Sequence, residues 1–420
     1  MKLKTITTFI LIMSALLSIN GQSLTLEECY DLAEKNFPLV RQYDLIERSE
    51  DINLSNVAKG HLPRLSVSGQ MTHQSDVVRI PFSMPNMEIP TLSRNQYRVQ
   101  GEVVQPISDM FTTLRYQRNI VKSDAEVERK RTDVELYQLK ERINQLYFGI
   151  LMTDAQITQV ELMMKDVDAA INKNKIAIEN GVALKSSADI LRAELLKAEQ
   201  KTIELEAMRT GLAETLSIFI DREIDENTLL QEPAEITVSP QILRPELQLF
   251  EAQKSNIQAK SKMIDAGIMP RLNLFAQGGY GKPALNMLED KSDFYFIGGV
   301  RLSWNISNLY THRKEKQQLR VNQNAVDLQK DAFLFNLRIN ATQQNNSIDK
   351  YQKIIEKDRE IVKLRESARK SAESQLEYGT VTASDYLQYI NAEEQAKQNL
   401  IFHSIQELAE RHTLKTTIGY

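Results

Sequence analysis

The residues of this sequence best suited to chemistry are its histidines and one glycine-rich run. Histidines can bind metals or transfer protons, but these show no His-Glu-x-x-His spacing. The five are His61, His73, His312, His403 and His412. Gly278, Gly279 and Gly281 do not match a phosphate-binding loop, and no nucleophile-elbow motif is present. The sequence therefore predicts no enzyme, no cofactor and no metal site.

Two single carboxylates near predicted helix starts are the remaining polar candidates. Asp385 lies six residues after Gly379, and Asp189 is its counterpart in the first half of the chain. An acid in the first turn of a helix is favoured by the helix dipole alone. Any further role depends on the elements that hold these two residues.

The composition indicates a helix-rich chain. Its net charge is −4 with a pI near 5.9, which argues against a nucleic-acid partner. Cys29 is the only cysteine, so no internal disulfide is possible. Glycine and proline are sparse, at 15 and 11 of 420 residues, which is typical of long helices.

The segment 1–22 has the pattern of a signal peptide. Lys2 and Lys4 precede a mostly apolar run over 9–19, which is too short to span a bilayer as a helix. No later apolar stretch reaches the roughly 18–20 residues that a transmembrane helix needs. The sequence predicts export, with the mature chain either soluble or embedded by another device.

An internal repeat organises the rest of the chain. The segments 38–65 and 245–272 align without a gap, so that Pro38 matches Pro245 and Pro63 matches Pro270. The match continues from 105–109 to 304–308. We therefore predict a first structural repeat over 23–220, an inter-repeat segment over 221–243, and a second repeat over 244–420.

After Pro63 and after Pro270 the hydrophobic period changes to two, which predicts strands. The predicted strands are 64–73, 96–105, 271–280 and 294–304, each long enough to cross a membrane when tilted. The polar faces carry Arg64, Arg98, Arg271 and Arg301, which could line a lumen or anchor strand ends near lipid headgroups. The intervening loops, 74–95 and 281–293, are candidate external loops.

Long helices follow each strand pair. Predicted helices cover 109–180, 186–220, 308–377 and 383–418. Apolar residues from Leu136 to Ile171 keep a 3-4-3-4 spacing in which only Thr153 is polar, and this spacing is typical of coiled coils. A second apolar seam follows Val321, Leu328 and Phe335. Helices of this length need partners packed side by side.

Four two-faced strands cannot close a barrel alone, and an open sheet in lipid would leave edge amides unpaired. Closure requires several chains, and three chains give twelve strands, an even number within the known range. The predicted fold class is mostly α with a membrane β-barrel, in a duplicated helix-strand-strand-long helix-helix plan. Twelve strands would form the trimeric barrel, and the same symmetry would pack the long helices into an α-helical barrel.

Over essentially the whole mature length, the chain resembles the TolC-like outer-membrane efflux family. The resemblance is carried by the duplicated Pro-Arg-Leu strand entries, the strand exits at 105–107 and 304–306, and the segment 378–387 with its continuation to Gly419. It implies a homotrimer in outer-membrane lipid with a long periplasmic α-helical barrel, and with 221–243 in an equatorial collar around that barrel. It also implies docking onto a periplasmic adaptor, the membrane fusion protein, and energy supplied by an inner-membrane transporter.

The resemblance assigns adaptor docking to the two helix tips. These consist of Gly181, Val182, Ala183, Gly379, Thr380 and Val381. Glycine permits the positive φ of a tight reversal, so a plain helix corner explains part of this pattern.

The resemblance also gives Asp385 a pore-facing position, where copies around an axis would form an acidic ring that attracts cations. Gln388 stands where the family has a second acid, and Val381 stands where some members carry an arginine. Any gate must therefore differ from the best-known pattern. Asp189 is the first-half candidate, and helix capping remains the alternative for both acids.

Two other functions fit parts of the sequence. The duct of a type I protein secretion system would have the same features. A soluble periplasmic coiled-coil scaffold would explain the heptads and the signal peptide, but not four alternating segments placed symmetrically after the prolines.

Overall fold

The computed structural model describes residues 23–78, 91–181, 184–226, 228–234, 236 and 241–419. The predicted signal segment and most of the first predicted external loop lie outside these ranges. The chain divides into two compact units. The helical unit comprises 1–42, 132–247 and 331–420, and the sheet unit comprises 43–131 and 248–330.

The elements alternate as helix, strand pair and long helices, twice. The helices are α1 (Leu26–Asn36), α2 (Gln42–Lys59), α3 (Ser108–Phe111), α4 (Thr113–Tyr137), α5 (Leu139–Glu179), α6 (Lys185–Ile220), α7 (Pro245–Gly267), α8 (Asn308–Glu377) and α9 (Ala383–Ile418). A 3₁₀ turn spans Pro38–Arg41. The strands are β1 (Arg64–His73), β2 (Asn95–Pro106), β3 (Arg271–Lys282) and β4 (Asp293–Ser303). Pro245 takes the first helical position of α7, where its missing N–H costs no hydrogen bond.

The sheet unit contains one antiparallel sheet in the order β1-β2-β3-β4. Its register places all the alternating apolar residues on one face, and that face is open. Val67 is 83% exposed and Phe296 is 71% exposed, whereas Tyr295 on the polar face is only 8% exposed. The exposed apolar set is Leu65, Val67, Met71, Val99, Val103, Leu272, Leu274, Phe294, Phe296, Val300 and Leu302. This is the reverse of a sheet that packs its apolar face on a core.

The helical unit is built around the predicted coiled-coil seam of α5. Ile143, Ile150, Val160 and Val167 are buried on α5, which packs against α6 and α9. The one polar member, Thr153, is also buried, and its hydroxyl donates to the carbonyl of Gly149 at 2.8 Å. Because this bond satisfies the hydroxyl locally, the seam tolerates a polar residue.

The N-terminal segment joins this core. Thr25 and Glu28 form the reciprocal capping box that their spacing predicts for α1. Leu24 forms a parallel bridge with Leu230, so the inter-repeat segment packs beside the start of the described chain. Tyr147 is fully buried here, and its hydroxyl lies 2.7 Å from the carbonyl oxygen of Leu24 and 2.6 Å from that of Gln231.

The prediction of one continuous helix over 109–180 is wrong, because the segment is divided into α3, α4 and α5. Thr112 leaves helical geometry, with φ −119° and ψ −82°, after a short helix whose Ser108 hydroxyl accepts the Leu272 N–H at 3.0 Å. This bond ties the first turn of α3 to β3, and helical geometry is interrupted at Thr112 before α4 begins. At Gln138 the backbone stays right-handed, with φ −64° and ψ −19°, and its N–H still donates to the Val134 carbonyl at 3.3 Å, so the division between α4 and α5 is slight.

The second predicted seam behaves differently from the first. On α8, Val321, Leu328 and Phe335 are 54%, 69% and 62% exposed. Their spacing is that of a packed coiled coil, yet this chain alone does not cover them. The seam therefore has the pattern of a surface that packs against another helix.

Candidate functional site

Both predicted tips are helix reversals whose glycine adopts positive φ. Gly181 ends the α5 side with φ 74°, and Gly379 ends the α8 side with φ 72°. An added Cβ at either position would meet no heavy atom within 4 Å, so backbone conformation and not space requires glycine. The Thr380 N–H then donates to the carbonyl of Gln375 at 2.9 Å. Of the other candidates, Val381 is half-buried, and Val182 and Ala183 lie outside the described residues.

Asp385 is exposed and belongs to the capping box of α9. Its backbone N–H donates to the Thr382 hydroxyl at 3.2 Å, and its carboxylate lies 2.6 Å from that hydroxyl. Gln388, one turn later, is exposed, and so is Asp189 in the second turn of α6. Asp385 therefore caps α9, as the alternative interpretation predicted. Its carboxylate is also exposed, so the same geometry is compatible with a position in a pore.

Beneath the α8–α9 reversal lies a compact apolar group, here called the tip cluster. It joins four helices and consists of Val167, Ala170, Leu191, Ala372, Ala383, Tyr386, Leu387 and Ile390. Small residues such as Ala372 and Ala383 allow the backbones to approach closely. The tip is therefore a packed structure that presents a defined surface.

Charged residues connect the same helices beside the tip cluster. Arg369 of α8 donates through Nε to Glu393 of α9 at 2.6 Å, and Lys397 contacts the other oxygen of Glu393 at 2.6 Å. Lys173 of α5 donates to Glu373 of α8 at 2.7 Å, and this hydrogen bond lowers the pKa of Glu373. Sequence reasoning missed this network, although the spacing of four between Glu393 and Lys397 is a detectable signal.

Glu394, adjacent to Glu393, has a different environment. It is 8% exposed, and its two carboxylate oxygens accept from Gln159 at 2.7 Å and from Gln398 at 2.8 Å. Burial raises the pKa of Glu394, and the two amide hydrogen bonds only partly oppose it. The folded chain therefore favours the protonated carboxyl more than the unfolded chain does.

This environment predicts a pH-dependent stability. A carboxyl with a raised folded pKa contributes most below its ordinary value of about 4.5 and loses that contribution as pH rises through the raised pKa. We expect Glu394→Gln to gain thermal stability relative to the unmodified chain as the pH rises above about 4.5. The measurement is the difference in unfolding midpoint across that range, with the exposed Glu360→Gln as control. A pH-independent difference would contradict the assignment.

The polar face of the sheet holds a second set of cross-strand contacts. Arg301 donates to Glu102 at 2.9 Å, and the Tyr295 hydroxyl donates to Gln100 at 2.6 Å. At the end of the sheet where β1 begins, Asp109 is 6% exposed and lies 3.9 Å from Arg64 and 3.8 Å from Arg271. The two arginines of the duplicated Pro-Arg-Leu motif thus share one carboxylate.

Within the described ranges, every helix lacks the combination of length and hydropathy that a bilayer-spanning helix requires. In the same residues, no group of three or more His, Cys, Asp or Glu side chains is placed to hold a metal ion.

No protein-family profile matches the chain, and no curated protein matches it by sequence. Solved structures do match its fold. The outer membrane protein VceC of Vibrio cholerae aligns with a TM-score of 0.65 and 13% identity, over 94% of this chain and 96% of that chain. The outer-membrane channel OprN aligns with a TM-score of 0.68 and 13% identity, over 94% and 89%. The MtrE outer membrane channel of Neisseria gonorrhoeae gives 0.62 and 14%, over 94% and 88%.

The chain therefore has the fold of outer-membrane channels. The sequence resemblance to TolC-like proteins is therefore confirmed at the level of the fold. The duplicated helix-strand-strand-long helix-helix plan is likewise confirmed. Closure of a twelve-stranded barrel stays a prediction.

Proposed function

We propose that this protein is the outer-membrane channel of a tripartite efflux system, a passive conduit and not an enzyme. The observation that carries the proposal is the open apolar face of the sheet. Lipid is the environment in which an apolar outer face and a polar inner face are both satisfied. The likeness to outer-membrane channels supports the same conclusion.

The edges of the sheet support formation of a homotrimer. β1 and β4 are the outer strands of the described sheet, and their unpaired backbone groups would each cost several kcal/mol in lipid. Three copies joined edge to edge form a closed barrel of twelve strands. The exposed seam on α8 supports the matching association of the helices.

The remaining partners belong to the helix tips. The turns at Gly181 and Gly379, held over the tip cluster, form the surface on which a periplasmic adaptor docks. An inner-membrane transporter bound to that adaptor supplies the energy. The channel then needs only a path of suitable width and charge.

Conductance in planar bilayers tests the proposal. The purified full-length protein in detergent is expected to sediment as a trimer and to produce discrete conductance steps. Intact trimers without channel activity would contradict a conduit. A protein that is released by osmotic shock and is monodisperse without detergent would instead support the periplasmic coiled-coil scaffold. The exposed seam on α8 is also compatible with that alternative.

Asp385 provides a test of the gate. We expect Asp385→Asn to reduce the preference for cations over anions, because it removes one carboxylate per copy from a ring around the axis. The measurement is the reversal potential in a salt gradient. Asp385→Glu, which keeps the charge, should retain the preference. Unchanged selectivity in Asp385→Asn would leave Asp385 as a helix cap only.

A further inference from the structure

The two halves of the sheet are built with the same register. Leu65 pairs with Val103 in the first hairpin, and their repeat counterparts, Leu272 and Leu302, pair in the second. The equivalence extends to the strand exits. The Gln105 amide donates to the carbonyl of His61 at 2.9 Å, and the indole N–H of the matching Trp304 donates to the carbonyl of the matching Ile268 at 2.9 Å.

The chain also contains one junction between the halves, where β2 pairs with β3. Val104 lies opposite Phe275 there, and Gln105 lies opposite Leu274. In the repeat, β4 corresponds to β2 and β1 corresponds to β3. The β2–β3 junction therefore specifies how β4 of one copy meets β1 of the next.

Resting on the proposed trimeric channel, we infer the register of the joint between copies. β4 pairs antiparallel with β1 of the next copy, with Ser303 opposite Ser68, the counterparts of Val104 and Phe275. By the same rule Trp304 lies opposite Val67, and Leu302 lies opposite Gly69. Polar residues then meet on the polar face, and apolar residues meet on the lipid face. A slip of one residue would invert every side chain of the strand.

The residues that follow β2 add two hydrogen bonds to the β2–β3 junction within the chain. The Ile107 N–H donates to the Leu272 carbonyl at 2.9 Å, and the Leu272 N–H donates to the Ser108 hydroxyl at 3.0 Å. The equivalent bonds between copies run from the Ile306 N–H to the Leu65 carbonyl and from the Leu65 N–H to the Ser307 hydroxyl. Serine occupies both exit positions, so the acceptor is present in each half.

The joint offers a conservative cross-linking pair. In an antiparallel sheet, hydrogen-bonded and non-hydrogen-bonded residue pairs alternate along the two strands. Because Ile107 and Leu272 form a hydrogen-bonded pair, Val104 and Phe275, three residues away on each strand, form a non-hydrogen-bonded pair, in which the Cα atoms are closer. Their counterparts Ser303 and Ser68 would have Cα atoms about 4.5 Å apart, within disulfide range. Ser66, two residues before Ser68 on the same face, provides a matched control.

The experiment uses the full-length chain with Cys29→Ala, oxidised in membranes and analysed without reductant. Ser68→Cys with Ser303→Cys is expected to convert most of the protein into covalent dimers and closed trimers. Ser66→Cys with Ser303→Cys should remain largely monomeric on the same gel.

The outcomes separate the register from the function. Detergent-stable trimers that cross-link through Ser66 and not Ser68, or through neither, would overturn the register and leave the channel intact. A protein that is monomeric in detergent before oxidation would overturn the trimeric channel itself. Reversal of the Ser68–Ser303 bands by reductant would confirm a disulfide as their cause.

Discussion

Val67→Arg is expected to abolish stable insertion of the protein in the outer membrane. Val67 lies in the middle of β1 with its side chain 83% exposed on the apolar face. An arginine on the lipid face near the bilayer midplane costs about 2–4 kcal/mol, and a trimer carries that cost in each copy. The measurement is the fraction of protein recovered as detergent-stable trimer from washed outer membranes, which should fall to near zero.

An adjacent position on the other face provides the control. Ser66 lies on the polar face of the same strand, where it pairs with Glu102, so Ser66→Arg adds the same charge to the polar side. This variant should insert and form trimers in nearly normal amounts, with altered ion selectivity. Equal recovery of both variants, or greater loss of Ser66→Arg, would show that the apolar face does not meet lipid.

Tyr147→Ala is expected to destabilise the helical unit by about 3–5 kcal/mol, the range for removing a large buried aromatic side chain. Tyr147 is fully buried, packs edge to face against Phe148, and holds the Leu24 and Gln231 carbonyls. Tyr147→Phe keeps the ring and loses the hydroxyl, so we expect about 1–3 kcal/mol. Thermal or denaturant unfolding followed by helix content measures both changes.

Tyr378→Ala is the matched surface control, because Tyr378 is 83% exposed. It should shift the unfolding midpoint little. If Tyr147→Phe proved as mild as Tyr378→Ala, the two carbonyl contacts would contribute nothing measurable, and the link between the N-terminal and inter-repeat segments would need another source of stability.

Local patterns explain why much of the fold could be read from the sequence. The period of two in the strands and the 3-4 spacing on α5 each indicate which residues share the apolar face of their element. The Thr25–Glu28 spacing indicates a helix cap. The divisions of the helix at Thr112 and Gln138 could not be predicted from the sequence, because no glycine or proline marks them. The division at Thr112 lies beside the hydrogen bond between Leu272 and Ser108, a contact between residues far apart in the sequence.

The same limit applies to the candidate site. Glu393 and Glu394 are adjacent and chemically alike, yet one contacts Arg369 and Lys397, and the other contacts only amides. Which environment each receives depends on the helices that pack against α9. The capping role of Asp385 can be predicted from the sequence because a helix start is a local signal. Its position relative to a pore axis depends on how several chains associate, so for that role the sequence offers only the family resemblance.

The shared carboxylate of Asp109 shows how the duplicated halves have diverged. Its counterpart in the second repeat is Asn308, whose amide donates to the carbonyl of Gly267 at 2.7 Å. A duplicated chain would be expected to carry a carboxylate at both equivalent positions, but the second repeat has the neutral Asn308. A single substitution at Asp109 would therefore remove, from both arginines at once, the carboxylate that they share, so at this position the two repeats are not interchangeable.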